Sequence, residues 1–156
     1  MDMLSPLAAQ KHIEMAFYFA DNVPKYVIGD ALRFKQILTN LISNAIKFTP
    51  DGEIIVRARM EDDDIGKCLL HFSVQDSGIG LSGTDRKKLF ESFSQGDASV
   101  TRQFGGTGLG LAISKQLVHL MHGQIGFEDN QERAPTEKGS TFWYTSEFIV
   151  NEDEEI

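Results

Sequence analysis

A glycine-rich loop runs directly into an apolar helical pattern at Gly105-Gly106-Thr107-Gly108-Leu109-Gly110-Leu111-Ala112-Ile113. Glycines leave the backbone N–H groups of such a loop open to close approach by a ligand. The helix predicted to begin near Leu109 directs its unsatisfied N–H groups and the positive end of its dipole at the same place. The stretch therefore favours a bound phosphate or another anion. A glycine-rich turn that only caps a helix would show the same local sequence, so the motif alone leaves both interpretations open.

The overall composition restricts the class of protein. The chain has 156 residues, 41% of them hydrophobic and 24% charged, which is enough for one globular domain with a buried core. Its net charge of −8 argues against nucleic acid as a partner. The single cysteine, Cys68, excludes an internal disulfide framework and is typical of a reducing compartment. The sequence has no apolar run of membrane-spanning length, so we expect a soluble, cytoplasmic domain with no membrane segment.

Hydrophobic periodicity predicts an α+β fold, a two-layer α/β sandwich with a mixed, mostly antiparallel sheet covered on one face by helices. We expect one domain over residues 1–150 and an acidic linker or tail over 151–156. The predicted helices are 5–12, 31–48 with Asp30 as its N-cap, a short one near 85–90, and one that follows Gly108 and ends at Gly123 as its C′ residue. The predicted strands are 13–20, 53–60, 67–75, 124–128 and 140–149, with an acidic hairpin turn at 61–66.

The helix predicted at 31–48 carries a polar stripe beside its apolar face. Asn40, Asn44 and Lys47 fall within roughly 60° of one another around a helix that turns 100° per residue. Asn is a poor helix former, so two of them in mid-helix indicate a buried hydrogen bond or a neutral oxygen ligand. An Asn carbonyl suits a Mg²⁺ ion that keeps several waters and is held mainly by substrate phosphates. The stripe alone leaves the structural and the ligand role open.

A second candidate lies directly after a hydrophobic strand, at Asp76-Ser77-Gly78-Ile79-Gly80. Such a sequence is common where a strand simply ends in a turn. It would also place one carboxylate at the mouth of a pocket, with glycine backbone beside it. A carboxylate there can accept a hydrogen bond from an adenine amino group, which provides specificity rather than catalysis.

The order of these segments resembles that of the sequence boxes in histidine-kinase catalytic domains. The resemblance covers residues 4–149, and a complete set of boxes in the correct order is far more specific than any one glycine motif. Residues 94–97 and 99–102 are most similar to hybrid sensor kinases of the BarA/GacS type. The matching segments are 40–49 for the N box, 76–80 for the G1 box, 89–93 for the F box, 105–110 for the G2 box and 138–142 for the start of the final strand.

The resemblance implies the Bergerat fold, in which ATP lies between the helical layer and a lid. By motif position, Asn44 would coordinate Mg²⁺ and Asn40 would support the metal–phosphate site. Lys47 would contact phosphate as a point charge, and Arg102 would meet the γ-phosphate. These four residues form the catalytic set that the resemblance implies.

The resemblance also implies a set of residues that bind the nucleotide. Asp76 would recognise the adenine amino group, and Thr141 would reach adenine through a water molecule. The remaining members would allow close approach of the nucleotide, anchor the lid or face the phosphates with backbone N–H groups. They are Gly78 and Gly80 for the approach, Phe90 and Phe93 for the lid, and Thr107, Gly108, Leu109 and Gly110 at the phosphates.

The residue at position 40 favours a kinase over an ATPase. ATPases with the same fold place a Glu one helical turn before the metal-binding Asn, where it activates water. This chain has Asn40 there, and a neutral amide does not act as a general base. Because phosphoryl transfer depends mainly on positioning and charge stabilisation, such a site can still donate to a protein nucleophile.

The acceptor of the phosphoryl group is expected on another domain. None of His12, His71, His119 and His122 lies in the His-Glu-x-Arg pattern of a dimerisation helix. We therefore expect transfer to a histidine on a separate dimerisation domain, with a response-regulator receiver domain downstream. The chain alone would be a monomer, and its parent a membrane-anchored sensor. The alternative is a pseudokinase or regulatory module that binds nucleotide or a partner kinase; Asn44, Asp76 and Gly108–Gly110 argue against it.

Overall fold

A computed structural model describes residues 12–49, 51–78, 109–133, 136 and 138–150 of the chain. Within these residues the strands are β1 (Ile13–Phe19), β2 (Val27–Ile28), β3 (Gly52–Asp64), β4 (Lys67–Asp76), β5 (Ile125–Asp129) and β6 (Ser140–Val150). The helices are α1 (Ala31–Phe48), α2 (Leu109–Leu120) and the four-residue α3 (Asn130–Arg133). None of these helices is long and apolar enough to cross a membrane.

The described strands form one sheet in the order β1-β3-β4-β6, and the far side of β6 is shared by β5 and β2. β1 and β3 are parallel because α1 lies between them in the chain, and the other pairs are antiparallel. β3 and β4 are joined by a tight turn at Ile65–Gly66, where Gly66 has a φ of 74°. The predicted mixed, mostly antiparallel sheet is thus confirmed.

One hydrophobic core joins the inner face of the sheet to α1 and α2. Alternate residues of β3 and β4 enter it, as the period-two pattern predicts. Phe72 stacks on Tyr144 of β6 with ring centroids 5.0 Å apart, and Phe34 of α1 meets Phe72 edge-on at 5.1 Å. This aromatic layer fixes α1 over the centre of the sheet.

The bounds predicted for α1 are confirmed at both ends. Asp30 is the N-cap, and its Oδ1 accepts a hydrogen bond of 3.0 Å from the backbone N–H of Arg33. The helix ends at Phe48, after which the N–H of Thr49 donates to the carbonyl oxygen of Ile46. The long polar stripe of α1 therefore lies on a regular helix throughout.

Other predicted elements differ from the structure. β3 continues beyond Met60 to Asp64, so the acidic stretch belongs to the hairpin strand and not to its turn. Acidic side chains on an exposed strand stay in water while the backbone keeps its pairing. β2 and α3 were not predicted, because two and four residues are too few to show a period. The helix predicted near 85–90, most of the one at 5–12 and the tail at 151–156 lie outside the described residues.

The predicted end of α2 at Gly123 is wrong. The helix ends at Leu120, and the residue with left-handed backbone is His122, with a φ of 58°. Gly123 is required for a different reason. The chain here runs along β6, with Thr145 N–H donating to the Gln124 carbonyl and Glu147 N–H to that of Met121. A Cβ on Gly123 would overlap the carbonyl oxygen of Thr145.

This close approach predicts the cost of Gly123→Ala. We expect the variant to lose about 3 kcal/mol of free energy of unfolding, because the backbone of β6 cannot move away without breaking its pairing. Gly66→Ala is the control, since a Cβ there meets nothing within 4 Å and the cost is only that of the left-handed backbone, about 1 kcal/mol. Urea unfolding of both variants measures the difference, and equal losses would contradict this role of Gly123.

Candidate functional site

Asp76 forms the centre of the candidate site. It is the last residue of β4, and the alternation of that strand turns its side chain toward the core side, where it is only 1% exposed. Its Oδ1 accepts hydrogen bonds from the backbone N–H of Gly78 at 3.0 Å and of Ser140 at 3.2 Å. One carboxylate oxygen is therefore fixed by the ends of β4 and β6.

The other carboxylate oxygen is an unpaired acceptor. Asp76 Oδ2 and the neighbouring Ser140 Oγ are both buried, and neither has a hydrogen-bond partner within the described part of the chain. Buried polar atoms in native proteins are nearly always hydrogen-bonded to protein, water or ligand. A small polar group that donates to a carboxylate would pair Asp76 Oδ2.

Burial is the main influence on the ionisation of Asp76. It raises the pKa of the carboxyl from 3.8 to about 6, and the N–H groups of Gly78 and Ser140 oppose this by favouring the charged form. The carboxylate is therefore ionised at neutral pH but incompletely compensated by the protein. A donor supplied from outside would complete its hydrogen bonding.

Thr141, which was expected to reach adenine through water, faces the other way. Its register with Gln75 places it on the outer face of the sheet, where it lines a groove with Arg57 and Trp143. Its hydroxyl donates to Asn130 Oδ1 at 2.6 Å. The structure thus places Thr141 on the face opposite the Asp76 carboxylate, because one residue along a strand changes the face.

Ser140 and Thr49 were missed from the sequence. The alternation that turns Phe142 and Tyr144 inward also turns Ser140 inward, so the period of β6 could have identified it. The hydroxyl of Thr49, at the end of α1, is likewise buried and unpaired within the described residues. Thr49 lies beside Gly52, whose close neighbour is the Ser77 hydroxyl. The ends of α1 and β4 thus meet at the site.

The polar stripe of α1 faces α2. Asn40 Nδ2 donates to Ser114 Oγ at 3.1 Å, and Ser114 is fully buried. The sequence left open whether Asn40 makes a buried hydrogen bond or binds a ligand. In the structure it makes a hydrogen bond that joins α1 to α2. Asn44 and Lys47 follow one and two turns further along α1, partly buried and exposed respectively. Leu109 and Gly110 are the first two residues of α2, whose N-terminal N–H groups lack intrahelical partners.

The other candidate residues fall outside the described part of the chain. Their roles stay predictions, and the structure neither brings them to Asp76 nor separates them from it. Gly78, by contrast, is placed beside Asp76 as expected. The residues outside are Gly80, Phe90, Phe93, Arg102, Thr107 and Gly108.

Comparison with known proteins identifies close similarities over nearly the whole chain. Residues 29–148 match the family model described as histidine kinase-, DNA gyrase B-, and HSP90-like ATPase. The chain is 48% identical over 143 residues to the sensor histidine kinase GacS of Pseudomonas protegens. The aligned region covers 92% of this chain and 15% of GacS. It is 41% identical over 149 residues to the signal transduction histidine-protein kinase BarA of Escherichia coli K12, covering 96% of the chain and 16% of BarA.

A solved structure agrees with this. Full-length ShkA in complex with AMPPNP superposes with a TM-score of 0.75 at 33% identity, over 96% of this chain and 28% of that one. The chain thus spans about one sixth of the length of the two curated relatives. It corresponds to one segment of much longer proteins.

The burial of Asp76 predicts a pH-dependent effect of Asp76→Asn on stability. The pKa of Asp76 is about 6 in the folded state and 3.8 in the unfolded state, so the folded state binds the proton more tightly. The protonated carboxyl therefore stabilises the fold fully below about pH 4, and this stabilisation is lost as the pH rises through 6. At pH 7 the ionised carboxylate lowers the free energy of unfolding by on the order of 3 kcal/mol, and the neutral amide of an asparagine at position 76 avoids this loss.

We therefore expect the melting temperature of nucleotide-free Asp76→Asn to exceed that of the wild type by more at pH 7.0 than at pH 4.5. Thermal unfolding by circular dichroism at both pH values tests this. Asp51→Asn, at an exposed bend, is the control and should show no such dependence. An identical difference at the two pH values would contradict the burial cost assigned to Asp76.

Proposed function

We propose a function from the family to which this chain belongs, the histidine kinase-, DNA gyrase B-, and HSP90-like ATPases. The chain binds ATP and transfers its γ-phosphoryl group to a histidine on a separate dimerisation domain of the same sensor kinase. The similarity to GacS, BarA and ShkA supports the kinase branch of the family. No observation on the described residues favours a module that binds nucleotide without transfer.

The observation that carries the proposal is the unpaired acceptor on Asp76. The adenine amino group donates hydrogen bonds, and Asp76 Oδ2 is a buried acceptor without a partner in the described structure. The hydroxyl of Ser140, whose N–H binds the other oxygen of the same carboxylate, can donate to a ring nitrogen or to a bridging water. The residues present therefore fit an adenine base, and bound ATP would complete the hydrogen bonds of the carboxylate.

The phosphates belong on the side where α1 and α2 meet. The N-terminus of α2 offers N–H groups and positive dipole potential, and Lys47 supplies a charge in the last turn of α1. The Asn40–Ser114 bond keeps the polar stripe of α1 against the first turns of α2. These groups would position the triphosphate and neutralise its charge.

A magnesium ion fits this donor set only together with ATP. The described residues contain no cluster of three His, Cys, Asp or Glu side chains that would hold a metal by themselves. The amide oxygen of Asn44 is one neutral ligand, which suits an ion held mainly by phosphates and water. When bound, the ion would neutralise charge that develops on the transferring phosphoryl group.

Asn40 makes transfer to a protein nucleophile more favourable than hydrolysis. Its neutral amide donates to Ser114 and offers no carboxylate to take a proton from water. The site then stabilises transfer by position and charge, and the acceptor histidine arrives from another domain. We also propose Arg102 as a γ-phosphate contact, Phe90 and Phe93 as lid anchors, and a receiver domain as the downstream partner. The domain would lie on the cytoplasmic side of a membrane-anchored kinase.

Base recognition and metal-dependent binding should be separable by mutation. Asp76→Asn should lower the affinity for adenosine and for an ATP analogue by at least about tenfold each, because an amide replaces the charged acceptor. Asn44→Ala should leave adenosine binding unchanged and abolish the gain in affinity that Mg²⁺ gives the ATP analogue. Calorimetry with both ligands, with and without Mg²⁺, measures the two effects. Wild-type affinities in both variants would overturn the site assignment.

Transfer should require a second domain. We expect the purified chain to bind ATP but to incorporate little acid-labile phosphate, since the acceptor motif is absent from its sequence. Adding a dimerisation domain that carries its cognate histidine should restore acid-labile labelling on that domain. Radiolabelled ATP followed by acid and base treatment distinguishes phosphohistidine from phosphoester. Strong acid-labile labelling of the chain alone, mapped to one of its own histidines, would refute the requirement.

A further inference from the structure

Asn130 is a buried polar residue to which the proposed function gives no role. It is the first residue of α3, directly after β5, and only 1% exposed. Its backbone N–H donates to the carbonyl oxygen of Gly139 at 3.1 Å. A buried amide side chain at this position is costly unless all its hydrogen bonds are made.

Every polar group of the Asn130 side chain is paired. Its Nδ2 donates to the carbonyl oxygen of Asp76 at 2.8 Å and to that of Lys138 at 2.9 Å, and its Oδ1 accepts from the Thr141 hydroxyl at 2.6 Å. The partners fix the orientation of the amide, because two carbonyl oxygens require the NH₂ group. One side chain thus connects the end of β4, the end of β5 and the start of β6.

These bonds hold Asp76 from the side opposite its carboxylate. Asn130 binds the main-chain oxygen of Asp76, while Ser140 N–H binds its Oδ1. Gly139, with a φ of 95°, allows the approach, since a Cβ there would overlap the same main-chain oxygen of Asp76. Asn130 therefore fixes the main chain from which the Asp76 carboxylate projects.

We propose that Asn130 is a positioning residue for base recognition. By joining the main chain of Asp76 to the start of β6, it holds Asp76 Oδ2 and Ser140 Oγ where they select a base that carries an amino group. The inference rests on the proposed function and deepens it, since it assigns the selectivity of that site to a residue that does not touch the base. Thr141 acts with Asn130, because its hydroxyl keeps the amide in the required orientation.

Adenosine and purine riboside test this, because they differ only in the 6-amino group. The wild type should bind adenosine at least roughly tenfold more tightly than purine riboside, as expected for a hydrogen bond to a charged acceptor. Asn130→Ala leaves two carbonyl oxygens unpaired and frees the start of β6. We expect it to reduce this preference to about threefold or less, with the affinity for purine riboside nearly unchanged. A purely structural role would weaken both nucleosides by the same factor.

Two further variants keep the test decisive if Asn130→Ala folds poorly. Thr141→Val removes only the hydroxyl that donates to Asn130 and should reduce the preference partially. Thr145→Val is the matched control on the same strand, where the hydroxyl accepts from Gln124 N–H instead, and it should retain the wild-type preference. The full wild-type preference in Thr141→Val, or in Asn130→Ala where that variant folds, would overturn the inference alone. A wild-type chain that binds neither nucleoside would overturn the proposed function and the inference with it.

Discussion

A carboxylate buried where β4 ends and β6 begins is the constraint on which the rest of the site depends. Burial raises the pKa of Asp76 to about 6, so at neutral pH the folded chain holds an ionised group that its own N–H donors only partly compensate. That cost requires a fixed surrounding: the N–H of Gly78, the N–H of Ser140 and a glycine at 139. One oxygen of the carboxylate has no partner among the described residues. A ligand that donates a hydrogen bond to this oxygen would offset part of the free-energy cost of burying the charge.

The register of the sheet decides which residues of β6 face the proposed ligand site and which make hydrogen bonds that support the strands. Ser140 and Thr141 are neighbours in sequence, yet Ser140 lies beside Asp76 while Thr141 lies on the outer face and binds Asn130. Within the described residues the hydroxyl of Ser140 has no partner, whereas that of Thr141 donates to Asn130. Under the proposed function, selectivity and support would thus come from adjacent positions on opposite faces, and a slip of one residue would exchange them.

Long periodic segments were predictable from the sequence, and contacts between distant segments were not. The bounds of α1 followed from its N-cap Asp30 and its apolar period. The sequence placed Asp76 at the mouth of a pocket, and the structure adds that β4 continues through it and turns its side chain inward. Gly123 was misassigned because a local glycine signal does not reveal the carbonyl oxygen of Thr145, which lies more than twenty positions away in the chain. Asn130 gave no signal at all, since the partners of its side chain lie at the end of β4 and around the start of β6, with Asp76 more than fifty positions away in the chain.

The contact between α1 and α2 helps to explain how one fold can serve both hydrolysis and transfer. Asn40 Nδ2 donates to Ser114 Oγ, and a serine hydroxyl both donates and accepts. A carboxylate at residue 40 could accept from the same hydroxyl, so this hydrogen bond does not by itself require an amide. The consequence of the amide would be chemical, because it supplies no base for water at the proposed phosphate site. Under the proposed function, helix packing and reaction type can therefore change separately at this position, and the acceptor would be supplied by the domain that brings the nucleophile.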